Sequence, residues 1–73
     1  MYFIIELQIN NGSGANIVQT ADTLNEAMSK YHTVLASASV SQVEYHSCIV
    51  LDEEGRHIAR ECYEHHTESG GAE

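Results

Sequence analysis

A single amphipathic helix, flanked on both sides by strand-like sequence, limits the folds open to this chain. The helix is predicted over about residues 23 to 38, where apolar side chains recur at three- and four-residue spacing. Thr23, followed three residues later by Glu26, matches the capping box that begins helices, and Asp22 adds negative charge near the start. The apolar stripe comprises Leu24, Ala27, Met28, Tyr31, Val34 or Leu35, and Ala38. One such stripe covers only one face of a sheet.

The segment before the helix predicts a β-hairpin. Residues 2–9 alternate weakly as a strand, and residues 17–20 are typical of a short return strand. Between them, residues 10–16 (NNGSGAN) form a loop, because Asn and Gly supply the positive φ angles that hairpins need. The first strand places Phe3, Ile5, Leu7 and Ile9 on one face and Tyr2, Ile4, Glu6 and Gln8 on the other.

The segment after the helix predicts a second hairpin. Residues 43–51 alternate as a strand, residues 52–55 form a turn that ends in glycine, and residues 56–63 are the partner strand. A four-residue loop fixes the cross-strand register, and a one-residue slip would rearrange every pair. The predicted pairs include Leu51 with Arg56, Cys48 with Ala59, and His46 with Glu61.

These elements predict an α+β fold, β-β-α-β-β, with an antiparallel sheet and one helix packed on one face. Residues 1–64 form a single domain, and residues 65–73 are expected to be a flexible acidic tail. The face without the helix should still carry apolar side chains, which favours a homo-oligomer with sheets packed face to face or joined at their edges. The side chains expected on that uncovered face are Tyr2, Ile4, Cys48, Val50 and Ala59, or their neighbours.

Charge excludes some partners. The 73 residues include 3 basic and 11 acidic side chains, a net charge of −8, so duplex nucleic acid is not an expected partner. Seven of the acids lie from Asp52 onward, which argues against a rigid mimic of nucleic acid. No stretch reaches the roughly 20 apolar residues of a membrane span, and the start lacks the features of a signal peptide. A cytoplasmic protein with reduced cysteines and no membrane partner is therefore expected.

The titratable residues do not form a familiar catalytic or metal motif. Cys62, His65 and His66 suggest a metal site, but the second pair of ligands that structural zinc needs is missing, so neither a metal nor a cofactor is expected. His46 opposite Glu61 is either a satisfied polar pair or a general base with its orienting carboxylate. Cys48 is expected to be buried and unreactive, on the opposite sheet face from Cys62. No catalytic residue, and no enzyme, is predicted.

The few basic residues are the candidates for ligand binding. Lys30 lies beside an aromatic pair on the helix, and two arginines share one face of the last strand. If a dimer brings the two groups together, they would hold an anionic small molecule by bidentate bonds and stacking. Otherwise the arginines balance nearby acids and the lysine is a solvated helix charge. The candidate ligand-binding residues are Lys30, Tyr31, His32, Arg56 and Arg60.

Most of the predicted domain resembles a known family. The run IVQTADTLNEAMSKYHTVLASASVSQV (residues 17–43), followed by HSCIVLDEEG (residues 46–55), is similar to short uncharacterised proteins encoded by phages and prophages of gut Firmicutes. The shared features are an N-E-A-x-x-K-Y-H helix start at residues 25–32, a small-residue run ending in V-S at residues 35–41, and an H-S-x-x-x-L-x-x-E-G hairpin. The resemblance implies a viral origin and brings no catalytic motif.

A small phage protein without catalytic groups is expected to act by binding another molecule in its bacterial host cell. One interpretation is a counter-defence factor that binds a host immune protein or sequesters a signalling nucleotide. The alternative is a structural or assembly accessory protein of the phage with no small-molecule ligand. In both, the protein works as a homo-oligomer.

Overall fold

A computed structural model of the protein describes residues 1–65 as one antiparallel sheet with one helix, which confirms the predicted α+β fold. The four strands lie in the order β2-β1-β3-β4, so the first and third strands are central. The elements are β1 (Tyr2–Asn10), β2 (Ser13–Ala21), α1 (Leu24–Ser39), β3 (Tyr45–Asp52) and β4 (His57–Glu64). In the predicted tail, residues 66–73, including His66, lie outside the described residues.

The first hairpin turns more tightly than predicted. Asn10 pairs with Ser13, which leaves Asn11 and Gly12 as a two-residue turn. Their φ angles of 55° and 79° lie in the left-handed region, where the Asn-Gly sequence is favoured. The other residues of the predicted loop adopt extended backbone and pair with β1, so β2 begins at Ser13 and not near Ile17.

The helix begins and ends within one residue of its predicted bounds. Thr23 is the N-cap, and its Oγ1 accepts a hydrogen bond from the backbone N–H of Glu26 at 3.2 Å. The Glu26 carboxylate accepts from the backbone N–H of Asp22 at 3.4 Å, so both side chains of the capping box serve the helix start. The buried helix residues all belong to the predicted stripe: Ala27, Tyr31, Val34 and Ala38.

The helix covers the opposite face from the one predicted. Ile4, Cys48 and Val50 are completely or almost completely buried beneath α1, and Tyr2 and Ala59 pack against the same core. The prediction that these five side chains lie on the uncovered face is wrong. Both faces of β1 are apolar, so alternation alone could not select one, and the less apolar face is the one that the helix covers.

The second hairpin has a different register from the predicted one. His46 lies opposite Tyr63, and Cys48 lies opposite Glu61, with an irregularity between Val50 and Leu51. The predicted partners of His46 and Cys48 are therefore wrong by two residues, and that of Leu51, which lies opposite His57, is wrong by one. Because a shift of two preserves the faces, Cys48 and Cys62 still lie on opposite sides of the sheet, and Cys48 is buried as predicted.

Hydrogen bonds to Asp52 explain that register. Its carboxylate accepts from the backbone N–H groups of Glu54 and Arg56, both at 2.9 Å, and its own N–H donates to the Arg56 carbonyl at 3.0 Å. These bonds, led by the one from the Arg56 backbone, lower the pKa of the Asp52 carboxyl. Gly55 takes a φ of 81° and completes the turn.

Candidate functional site

The sheet face opposite the helix is a broad apolar surface, here named the open face. This face carries the odd-numbered residues of β1 and β3 and the even-numbered residues of β2. It also carries the β4 residues that lie opposite the odd-numbered residues of β3. No element within residues 1–65 packs over it. Its large apolar side chains are Phe3, Ile5, Leu7, Ile9, Val18, Tyr45, Ile49, Leu51 and Ile58. A contiguous apolar patch of this kind marks an interaction surface.

The open face carries little charge despite the acidity of the chain. Of the Asp, Glu, Lys and Arg side chains in the four strands, only Arg60 and Glu64 lie on it. Both belong to β4 at one margin of the sheet. Glu6 and Glu61 point to the helix side, and Asp52 is held in the β3–β4 turn. Acidic groups are therefore kept away from the centre of the open face.

The predicted ligand-binding residues of the helix serve structural contacts within the chain. The Lys30 ammonium donates to the Thr20 carbonyl at 2.8 Å and lies 3.8 Å from the Glu26 carboxylate. Tyr31 is buried in the core, and burial raises the pKa of its phenol, with a smaller contribution from Glu61. His32 is exposed, and its ring centroid lies 5.3 Å from that of Tyr31.

The two predicted arginines lie apart from the helix group. Arg56 is at the β3–β4 turn, with its guanidinium 2.9 Å from the Asp52 carboxylate and 3.3 Å from that of Glu54. Arg60 lies opposite Ile49 on the open face, with the sheet between it and the helix. A single chain therefore does not bring the five predicted residues together, and a joint site remains a prediction that needs a second copy.

A polar pair that the sequence did not predict lies beneath the helix. Nε2 of His46 contacts the carboxylate of Glu6 on the neighbouring strand, and Gln8 Nε2 donates to the same carboxylate at 3.0 Å. His46 is only 4% exposed, and its Nδ1 has no hydrogen-bond partner. The predicted partner, Glu61, is wrong because the register differs. Alternation placed Glu6 on the same face as Ile4, but only the strand order brings it beside His46.

The chemistry available at this buried pair is limited. A general base needs access to a substrate, and His46 is closed off from solvent. The neighbouring Cys48 is a poor nucleophile, because burial, with the charge of Glu6, raises the pKa of its thiol to about 11. The arrangement is therefore best suited to holding β1 against β3.

The raised pKa of Cys48 predicts a loss of stability in alkali. The folded chain keeps the thiol protonated up to about pH 11, whereas an unfolded chain releases the proton near 9.0, so rising pH favours unfolding within that window. Tyr31, whose pKa is also raised, acts in the same direction above 10.0. Urea unfolding at a series of pH values from 8 to 11 measures the decline.

Two variants separate the contribution of Cys48 from that of other groups. Cys48→Ala should be less stable below about pH 9 but show a shallower decline between about pH 9 and 11, while Cys62→Ser should keep the full decline. Equal slopes for Cys48→Ala and the unchanged chain would contradict the assignment.

Within residues 1–65, no three side chains of His, Cys, Asp or Glu are grouped so as to share a metal ion. In the same part of the chain, no helix has the length and apolar character needed to cross a membrane.

Comparison with known proteins adds no relative. No family model, no curated protein and no solved structure matches this chain.

Proposed function

We propose that this chain is a non-enzymatic binding protein that acts as a homo-oligomer, with the open face of one copy packed against the open face of another. The observation that supports this most is the open face itself, with Leu7, Ile9, Val18, Tyr45 and Ile58 exposed on it. Two sheets packed in this way stand about 10 Å apart and bury one another's inner side chains.

The size of the open face is adequate for a stable contact. Four strands spaced ~4.8 Å apart and about eight residues long, at ~3.3 Å per residue, give roughly 500 Å² of flat area. The accessible surface of side chains exceeds the flat area on which they stand. A standard interface buries about 800 Å² of accessible surface on each partner. The open face is therefore of the right order for packing against a second copy.

Charge also favours a second copy at this surface. Each chain carries a net charge of −8, so two copies repel one another wherever their acids meet. On the open face only Glu64 contributes an acid from the strands, and Arg60 lies on the same strand. Two copies therefore approach with least repulsion through this face.

Within the host cell, the proposed role is that of a phage counter-defence factor in the cytoplasm. Contact with a host immune protein is the form we favour, because a single chain does not bring the predicted cationic residues together into an anion site. Sequestration of a signalling nucleotide requires the oligomer to assemble the cationic groups, and Arg60 is the member of the predicted set that lies on the open face. The alternative role is a structural or assembly accessory of the phage.

A charge placed on the open face tests the proposed self-association. Leu7 is 41% exposed at the centre of that face, and Leu7→Glu would bury an unpaired carboxylate from each copy. Such burial costs several kcal/mol, so the dissociation constant should rise about 100-fold or more. Sedimentation equilibrium measures the change.

Val40→Glu is the matched control. Val40 is 81% exposed beyond the end of α1 and away from the sheet, and the substitution makes the same change of net charge. It should leave the dissociation constant unchanged within about threefold, as surface changes away from an interface do. If both variants raise the dissociation constant equally, or if neither raises it, the open-face contact is contradicted.

Native mass spectrometry separates the forms of this function. A nucleotide retained by the oligomer and lost in Arg60→Ala would support sequestration. An oligomer free of ligand, with no thermal shift across a panel of nucleotides, would exclude sequestration and leave contact with a protein.

A further inference from the structure

The outer edge of β2 is an unpaired strand edge. β2 lies at one margin of the sheet, and within residues 1–65 no strand pairs with its outer side. In a hairpin closed by a two-residue turn, Asn10 and Ser13 form a hydrogen-bonded pair, and such pairs recur at every second residue. The backbone groups that point outward therefore belong to Gly14, Asn16, Val18 and Thr20.

The opposite edge, β4, carries the features that protect strand edges from pairing. It has the charged side chains Arg60, Glu61 and Glu64 and a register irregularity near its start. Charges and bulges of this kind prevent another strand from adding to a sheet. β4 is therefore a poor site for a further strand.

β2 itself lacks these protective features, and a charged side chain reaches its edge only near the end of the strand, where Lys30 donates to the Thr20 carbonyl. It contains no charged residue and no proline, and Ile17 and Val18 are 50% and 54% exposed on its two faces. The uncharged stretch extends from Leu7 to Ala21 in a chain of net charge −8. A regular, neutral edge with exposed β-branched side chains is one on which another strand pairs readily.

We propose that β2 pairs antiparallel with β2 of a second copy, with Ile17 opposite Ile17 on the twofold axis. This inference rests on the self-association proposed above but uses a different surface. A second copy is the occupant that the charges favour, because another copy of the same neutral edge brings no acid into the contact. An antiparallel pair of identical strands is also self-complementary, as a twofold contact requires.

The register follows from the outward backbone groups. Ile17 opposite Ile17 places Val18 opposite Asn16 and Thr20 opposite Gly14, so all four outward residues of each strand can form hydrogen-bonded pairs. The Thr20 carbonyl already accepts from Lys30 of its own chain, and its second lone pair is the one that would accept from the partner strand. A shift of two in either direction leaves one outward residue of each strand without a partner. The central register therefore forms the most hydrogen bonds, and it brings the exposed Ile17 side chains into contact across the axis.

This pairing is compatible with contact through the open face. The twofold axis of an antiparallel pair runs perpendicular to the sheet, so both helices lie on one side and the two open faces join on the other. The result is an eight-stranded sheet, and two such sheets packed by their open faces would form a tetramer with dihedral symmetry.

A cysteine at position 17 tests the register. Ile17 opposite Ile17 is a non-hydrogen-bonded pair, with Cα atoms about 4.5 Å apart, which lies within the range that a disulfide spans. Under oxidising conditions, Ile17→Cys in a Cys62→Ser background should convert the 8.1 kDa chain to a covalent dimer of twice that mass on a non-reducing gel. Cys48 is buried and does not compete.

Val18→Cys in the same background, with Leu7→Glu added to remove the open-face contact on which Val18 lies, is the matched control, because Val18 is the adjacent residue with nearly the same exposure. In the proposed register its two copies lie roughly 8 to 9 Å apart at Cα, too far for a disulfide, so it should remain a monomer on the gel. Dimer from Val18→Cys and not from Ile17→Cys would overturn the register. Absence of dimer from both variants would overturn the pairing.

Adding Leu7→Glu to Ile17→Cys distinguishes the two contacts. The covalent dimer should still form, because β2 does not depend on the open face. If the β2 edges do not pair, Leu7→Glu should still weaken the association through the open face. The edge pairing and the open-face contact can therefore be disproved independently of one another.

Discussion

Replacing Ile4 with alanine should lower the free energy of unfolding by about 3 to 4 kcal/mol. The side chain of Ile4 is 1% exposed. It lies on the face of β1 that the helix covers and belongs to the core that includes Val50. Its truncation removes buried methyl groups and leaves a cavity that the surrounding side chains fill only in part. Since a small domain has a total stability of roughly 5 kcal/mol, most of the folding free energy would be lost.

Ile5→Ala is the matched control for this prediction. The two residues are adjacent, identical in type and on the same central strand, but Ile5 lies on the open face. The change in strand propensity is therefore the same in both variants, and it cancels when their free energies of unfolding are compared. Urea unfolding of both variants should show a loss for Ile4→Ala at every protein concentration. The loss for Ile5→Ala should be smaller and should grow with concentration, because it acts through association. Equal and concentration-independent losses would contradict the assignment of the two faces.

Removing the Glu6 carboxylate should also destabilise the fold strongly. Glu6→Ala leaves His46 buried without the partner of its Nε2, and it removes the acceptor of the Gln8 amide. A buried polar group that loses its partner costs about 3 kcal/mol in settings of this kind. Denaturant unfolding at neutral pH measures the loss.

Glu6→Gln provides the comparison. The amide oxygen of glutamine can still accept a hydrogen bond from His46, so the loss should be only about 1 kcal/mol. A loss below about 0.5 kcal/mol for Glu6→Ala would show that the pair does not hold β1 against β3.

Elements determined by local sequence were predicted well. Thr23 and Glu26 define the start of the helix, as predicted. The first hairpin was predicted from Asn and Gly residues that tolerate positive φ, although its loop was placed over residues 10–16 and the turn is confined to Asn11 and Gly12. Each feature depends on neighbours within a few positions. Such signals are present in the sequence whatever the rest of the chain does.

Features that depend on distant contacts were not predicted. The covered face of β1 includes the contact of Glu6 with His46, which are 40 residues apart. The register of the second hairpin depends on the hydrogen bonds to Asp52 and on an irregularity beside Val50. Neither follows from alternation, because both faces of β1 are apolar and several registers keep the same alternation.

In the candidate site, too, the general feature was predicted but the residues that depend on distant contacts were not. The expectation of an apolar uncovered face followed from one helix and four strands, but the residues on it were misassigned. The five predicted ligand-binding residues were grouped by charge and by neighbouring position, and the sheet separates Arg60 from the helix. Only the strand order reveals that separation.

Sedimentation equilibrium of the unchanged chain over a wide range of concentrations examines the proposed self-association. We expect a mass that is a multiple of 8.1 kDa and that falls towards 8.1 kDa only on strong dilution. Leu7→Glu should have a lower mass than the unchanged chain at concentrations where the unchanged chain is still fully associated, and any dimer that is left should be the one joined through β2. A mass of 8.1 kDa at every concentration would show that the open face does not bind a second copy.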